Sequence, residues 1–192
     1  MIQTNLYGMS KTKPNIIVAF TDKNKIIAND RQFVWPRLDM DRQFLSYFLK
    51  ENKDAILLMG RITWEVCKMT KRNKIIVTSQ KPNEKDIDEF TAFASSYEEA
   101  IKLAGNNKII IFGGQEIYRK ALQGSFKLFC TVIEEQDGMK GNVIFPIENS
   151  VLENKNDITE DLFRKFKKEN VEFKDGFIIE KNIKMSFYIV DQ

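Results

Sequence analysis

Two stretches constrain the fold of this chain more than any other. The first runs Ile56-Leu-Leu-Met-Gly60-Arg-Ile-Thr-Trp-Glu-Val66, and the second is Lys108-Ile-Ile-Ile-Phe-Gly113-Gly114-Gln-Glu-Ile-Tyr118. In each, an apolar run too short for a free-standing helix stops at glycine, and a helix-like pattern follows. Glycine lets the backbone turn sharply at the strand end. The first amides of the next helix are then unpaired, with the positive dipole end behind them. Such a turn suits phosphate. Two of them suggest a ligand with several phosphates, and Arg61 and Thr63 directly follow the first glycine. Strand–glycine–helix is also the ordinary joint of any α/β domain. Neither turn has the G-x-G-x-x-G or G-x-x-x-x-G-K-[ST] spacing, so both readings stay open on these residues alone.

The rest of the composition narrows the chemistry. There is no histidine among the 192 residues. Ser-His-Asp and Cys-His nucleophiles, His-ligated metals and a histidine proton shuttle are thereby excluded. Catalysis must use carboxylates, Lys, Tyr, Cys or a cofactor. Cys67 and Cys130 are far apart and form no C-x-x-C, so neither a zinc site nor a disulfide framework is expected. Two free thiols and no signal-like segment fit a cytoplasmic protein. No apolar run approaches a membrane span. Thirty basic against 27 acidic residues give a net charge of +3, too mixed for a nucleic-acid face.

Taken in order, residues 1–13 read as a loose arm and 14–192 as one domain. Strands are expected at 15–20, 54–59, 75–78, 90–94, 108–112 and 127–134. Two more, 177–180 and 185–190, form an antiparallel pair joined by Lys181-Asn182. Thr21 to Arg31 reads as a loop with a small apolar anchor at Ile26-Ile27. Helices are expected from about Asp41 to Lys50, Arg61 to Val66, Ser96 to Leu103 and Gln115 to Leu122. Asp39 is the expected N-cap of the first. Asp41, Phe44, Leu45, Phe48 and Leu49 fall on one helix face, so Asp41 projects from an apolar stripe, where ionisation is disfavoured. Lys68 to Lys74 is a basic loop, read without context as solvated. Residues 147–176 are polar, with a helical turn around Leu162-Phe163-Phe166. Alternating strands and helices predict an α/β fold with a mixed, mostly parallel central sheet flanked by helices and a C-terminal antiparallel hairpin.

From Asn15 to Val190 the chain resembles the dihydrofolate reductase family in order and spacing. The pieces are Ile16-Ile-Val-Ala-Phe20, Trp35 with an acid six residues on, Met59-Gly-Arg-Ile-Thr-Trp64, Lys74-Ile-Ile-Val-Thr-Ser79, Ile111-Phe-Gly-Gly-Gln-Glu-Ile-Tyr118, Leu128-Phe-Cys-Thr131 and Phe145-Pro146. Met-Gly-Arg-x-Thr-Trp followed by an apolar run and Gly-Gly-x-x-x-Tyr is specific in combination. The resemblance implies the family's sheet and an NADPH-dependent reduction of 7,8-dihydrofolate to tetrahydrofolate, with antifolates as inhibitors.

Its residue roles carry over one at a time. Asp41 would hydrogen-bond the pterin and promote protonation of N5; the family places this acid five or six residues after the Trp, and position five is Met40 here. Thr131 would support the same network, and Trp35 would hold the relaying water. Val18, Ala19, Phe33, Leu45, Phe48 and Phe112 would wall the pterin and nicotinamide pocket. Arg72, inside the basic loop, matches the arginine that pairs with the glutamate tail of folate. Cofactor contacts would come from Ala19, Ile26, Gly60, Arg61, Ile62, Thr63, Thr78, Ser79, Phe112, Gly113, Gly114, Gln115, Glu116, Ile117 and Tyr118, with a cis peptide at Gly113-Gly114. No metal is implied, and a monomer is expected. The chain departs from the family pattern at Val34 (Pro), Ala28 (Gly), Leu45 (an aromatic) and Asn142-Val143 (Asp-Thr). The Pro-Gly before the tail-binding arginine is also missing. The alternatives are an NADPH-dependent pyrimidine reductase of the riboflavin pathway and a non-catalytic nucleotide-binding module.

Overall fold

The computed structural model describes residues 13–67, 71–80 and 87–192. Most of the N-terminal arm, Lys68 to Thr70 of the basic loop and residues 81–86 lie outside these. The short apolar runs fold as strands: β1 (Asn15–Thr21), then β2 (Ile26–Asn29), β3 (Gln32–Phe33), β4 (Ile56–Gly60), β5 (Lys74–Val77), β6 (Thr91–Ala94), β7 (Ile109–Gly113) and β8 (Lys127–Ile133). β9 (Val143–Ile144), β10 (Asn156–Asp157), β11 (Val171–Lys174), β12 (Phe177–Glu180) and β13 (Ile183–Asp191) complete the set. The helices are α1 (Asp39–Glu51), α2 (Arg61–Cys67), α3 (Tyr97–Ala104), α4 (Gln115–Ala121) and α5 (Thr159–Phe166).

The main sheet runs β11-β12-β13-β8-β1-β7-β4-β5-β6, with β10 also on β13. From β8 through β6 every pairing is parallel, whereas β13, β12 and β11 add antiparallel at the other end. β1 lies between β7 and β8, buried on both sides, which is why its sequence is almost continuously apolar. Successive side chains still alternate. Ile16, Val18 and Phe20 enter a core closed by α3 and α4. Ile17, and the half-buried Ala19, enter a core closed by α1 and α5. The second core holds the sequence-predicted acid.

Local signals explain most boundaries. Ser96 caps α3 by accepting from the Glu99 amide at 3.1 Å, and Glu99 reaches back to the Ser95 amide at 2.7 Å. This reciprocal arrangement satisfies two otherwise unpaired donors. Gly105, at φ 58°, ends the helix. Lys181 and Asn182 join β12 to β13 with φ of 54° and 61°, the left-handed pair of a two-residue hairpin turn.

Three regions differ from the sequence expectation. Asp39 is not the cap of α1; it is the first helical residue, and Leu38 before it offers no side-chain bond. The stretch read as a loop with an apolar anchor forms a second, three-stranded sheet, β3-β2-β9. Residues 147–176 contain β10, α5 and β11 in place of one helical turn. The missed signal was Asp175-Gly176, at φ of 52° and 81°, turning β11 into β12 between Phe173 and Phe177.

Within the small sheet Gly141 leaves no room for a side chain. A Cβ there would lie 2.4 Å from the Ala28 carbonyl oxygen and 2.5 Å from the Ile26 side chain. The first neighbour is backbone and cannot rotate away. Gly141→Ala is therefore expected to cost about 1–3 kcal/mol, as forced overpacking does. Urea unfolding of the variant beside the wild type reads this directly; equal midpoints and slopes would show that the strand yields freely.

Candidate active site

α1 begins where its first amides find a remote carboxylate. Glu180, the last residue of β12 and 5% exposed, accepts from the Asp39 amide at 2.8 Å and the Met40 amide at 3.0 Å. With the first turn fixed, helical periodicity directs Met40, Phe44 and Phe48 into the core and leaves Asp41 and Leu45 half-buried beside them. Across from Asp41, the Thr131 hydroxyl of β8 donates to its carboxylate at 2.6 Å. Thr131 is 1% exposed and pairs in register with Ala19 of β1. A strand threonine is usually only a good strand former; here its hydroxyl is spent on the acid. Burial pushes the Asp41 carboxyl above the usual range, the Thr131 bond works against that, and the Glu180 charge adds to it. Asp39, two residues earlier, moves the other way because Arg37 hydrogen-bonds it at the surface.

Aromatic side chains gather on the α1 face of the sheet. Trp35 is buried and stacks on the exposed Phe33 with centroids 5.2 Å apart. Phe48 tilts against Phe129 at 4.6 Å. Trp35, Phe48, Ala19, Leu45 and Phe112 all belong to the core on the α1 face. Val18 does not. The strand alternation puts its side chain in the opposite core, so only its backbone is available to the α1 face.

The two glycine turns lie against each other. A Cβ on Gly60 would stand 3.6 Å from the Gly114 nitrogen and 4.0 Å from the Gly113 carbonyl oxygen. The Gly113-Gly114 peptide is cis, as the resemblance implies, and Gly113 has φ 114°. Thr63 sits between the turns, its hydroxyl 3.4 and 3.5 Å from the places where Gly113 and Gly114 would carry Cβ atoms. Beneath them Tyr118 is buried, and its hydroxyl donates to the Ile17 carbonyl at 2.9 Å. Tyr118 and Ile117 thus brace the turn from within the core. Arg61 donates to Glu65, and the other Glu65 oxygen accepts from Arg31, on the β2–β3 turn, at 2.8 Å.

The remaining cofactor candidates are dispersed. Thr78 is half-buried and Ser79 exposed just past β5, with the Thr78 hydroxyl accepting from the Gln80 amide at 3.1 Å. The Gln115 side chain accepts from the Ile144 amide at 2.9 Å, tying α4 to β9. Glu116 pairs with Arg119 at the surface, and Ile62 is half exposed. Ile26 is buried and lines a groove of about 460 Å³ with Asn24, Glu135 and Met139. That groove contains neither Asp41 nor either glycine turn.

Arg72 closes the far end of α1. Its guanidinium donates to the carbonyls of Leu49 at 2.9 Å and Asn52, satisfying acceptors that a helix terminus leaves open. Its Nε is buried and has no hydrogen-bond partner among the described residues. Sequence reading gave no hint of Glu180, because its contacts lie about 140 residues away in the chain and nothing local marks them.

Residues 15–174 match the family model described as dihydrofolate reductase. Among curated proteins, the chain is 33% identical over 135 residues to a dihydrofolate reductase of Buchnera aphidicola (subspecies Baizongia pistaciae), covering 69% of this chain and 76% of that one. It is 30% identical over 141 residues to a dihydrofolate reductase of Staphylococcus haemolyticus, covering 71% and 78%. A Haemophilus influenzae protein of the same name is 27% identical over 135 residues, covering 69% and 78%.

Proposed function

The chain belongs to the dihydrofolate reductase family, and from that premise we propose that it reduces 7,8-dihydrofolate to 5,6,7,8-tetrahydrofolate with NADPH. The observation that carries this reading is the Asp41–Thr131 pair at 2.6 Å, set on the face where Ala19, Leu45, Phe48 and Phe112 gather.

NADPH fits the residues present. The bare glycines at 113 and 114 stand beside the Thr63 hydroxyl, and Arg61 stands at the start of the adjoining helix. Arg61, Thr63 and the Gly113-Gly114 turn would hold the phosphates, with Thr78 and Ser79 at the adenosine end. When bound, NADPH supplies the hydride that reduces C6 of the pterin. The chain's own residues handle the proton and the orientation. Asp41, held by Thr131, hydrogen-bonds the pterin ring and favours the form protonated at N5, which is the better hydride acceptor. Its apolar surroundings push its carboxyl above the usual range, so it holds a proton to higher pH than a solvated carboxylate does. Trp35 screens the acid and holds the relaying water. Arg72 receives the glutamate tail, and its Nε, without a partner among the described residues, offers an N–H for it. The enzyme acts as a cytoplasmic monomer on this small molecule, with one domain from residue 14, and antifolates compete for the same site.

The deciding experiment follows NADPH absorbance with dihydrofolate, and separately with a pyrimidine substrate of riboflavin synthesis. Dihydrofolate-dependent oxidation is expected, with the pyrimidine inert; no turnover of dihydrofolate would end this reading. Arg72→Leu is expected to raise KM for dihydrofolate about tenfold to hundredfold, the value of a charge-assisted hydrogen bond. KM for a tailless dihydropterin should stay unchanged. An equal rise for both substrates would mean that Arg72 acts only by closing α1.

A further inference from the structure

Glu180 is a buried carboxyl side chain with no ion pair among the described residues. Its two oxygens accept the amides of Asp39 and Met40, at 2.8 and 3.0 Å. Those are the residues immediately before Asp41. A carboxylate at a helix start is stabilised by the free amides and the dipole, which is how Glu180 stays buried without a counter-ion. Most helix caps come from a neighbouring residue; this one comes from β12, one strand in from the edge of the sheet.

Resting on the proposed reduction, we propose that Glu180 is a positioning residue for it: it anchors the first turn of α1 and so sets where Asp41 stands, with a second carboxylate held on the two amides before that acid. The geometry supplies the anchor. Asp41 follows directly on the two anchored amides, so its direction toward Thr131 depends on that anchor. Two carboxylates near each other resist joint ionisation, and Glu180 adds in this way to the effect of burial on the Asp41 carboxyl. The other charges at this end of α1 act elsewhere. Arg37 at 3.2 Å and Lys168 at 3.8 Å pair with Asp39, and Lys181 donates to the Arg37 carbonyl. Across from Asp41, β8 contributes the neutral Thr131 hydroxyl. Among the described residues, the charged side chain that raises the Asp41 carboxyl further is Glu180.

The test is the pH profile of kcat/KM for dihydrofolate, with melting temperatures, in wild type, Glu180→Gln and Glu180→Asp. Glutamine offers one acceptor in place of two and no charge. Aspartate keeps the charge but withdraws it by one methylene. Both variants should melt lower, and the falling limb should move to lower pH by roughly half to one unit in E180Q and by less in E180D. A limb that stays in place in whichever variant folds, with rates reduced evenly across pH, would reduce Glu180 to a helix cap and overturn the proposal. Absence of dihydrofolate-dependent turnover in the wild type would instead overturn the assigned reaction.

Discussion

Asp41→Asn is expected to abolish nearly all turnover at neutral pH while leaving the fold intact. Asparagine has the size of aspartate and can still accept from Thr131, so the 2.6 Å contact survives in kind. It cannot exchange a proton with the substrate, and there is no histidine to substitute. Loss of a positioned acid costs about a hundredfold to ten-thousandfold in rate. The residual activity should rise steadily toward low pH, where solution acid supplies the proton.

Stability should respond in the opposite sense. The Asp41 carboxyl titrates higher in the folded chain than in the unfolded one, because burial disfavours its charge. Its stabilising contribution is full below the unfolded pKa and is lost as pH rises through the folded pKa. Once ionised, Asp41 carries a charge that burial disfavours, and Asp41→Asn removes that cost. The variant should melt at or above the wild-type temperature at pH 7, and the advantage should vanish toward pH 4. Near-wild-type turnover at pH 7, with Tm also unchanged, would remove Asp41 from the mechanism.

What the sequence revealed and hid follows from the range of the interactions. The glycine turns, the α3 cap and the α1 stripe are local, and each has its own signature within a few residues. The meeting of Asp41 with Thr131 across 90 positions was reached only through family resemblance, since a strand threonine has no local mark of function. Glu180 was missed for the same reason, and its absence from the reading produced the wrong cap at Asp39: an acid near a helix start is the usual cap, and the real one was out of sight. Val18 stands among the pocket residues through family resemblance, although strand alternation sends its side chain and that of Ala19 to opposite cores. The Asp175-Gly176 hairpin was legible, and the polarity around it masked the signal.

Gly113→Ala is expected to cost the enzyme its cofactor. At φ 114° an L side chain is strained whatever the space. The space is also short, with the new Cβ 3.2 Å from the Tyr118 hydroxyl oxygen, 3.3 Å from a Tyr118 ring carbon and 3.4 Å from the Thr63 hydroxyl. Tyr118 cannot retreat, because it is buried, bonded to Ile17 and packed edge-on against Phe145 at 5.1 Å. The turn must move instead, and with it the contact to Gly60. NADPH affinity should fall about tenfold or more, with roughly 1–3 kcal/mol lost from stability. Gly114→Ala separates the two causes. Gly114 has φ −76°, and its Cβ would make only an ordinary 3.5 Å contact with Thr63. That variant should fold as the wild type does, yet bind NADPH more weakly, because the added methyl occupies the side from which phosphate approaches. Fluorescence titration with NADPH, run with melting curves, reads both. Wild-type affinity in Gly113→Ala would show that this turn does not hold the dinucleotide; wild-type affinity in Gly114→Ala alone would place the phosphates on the Gly60 side.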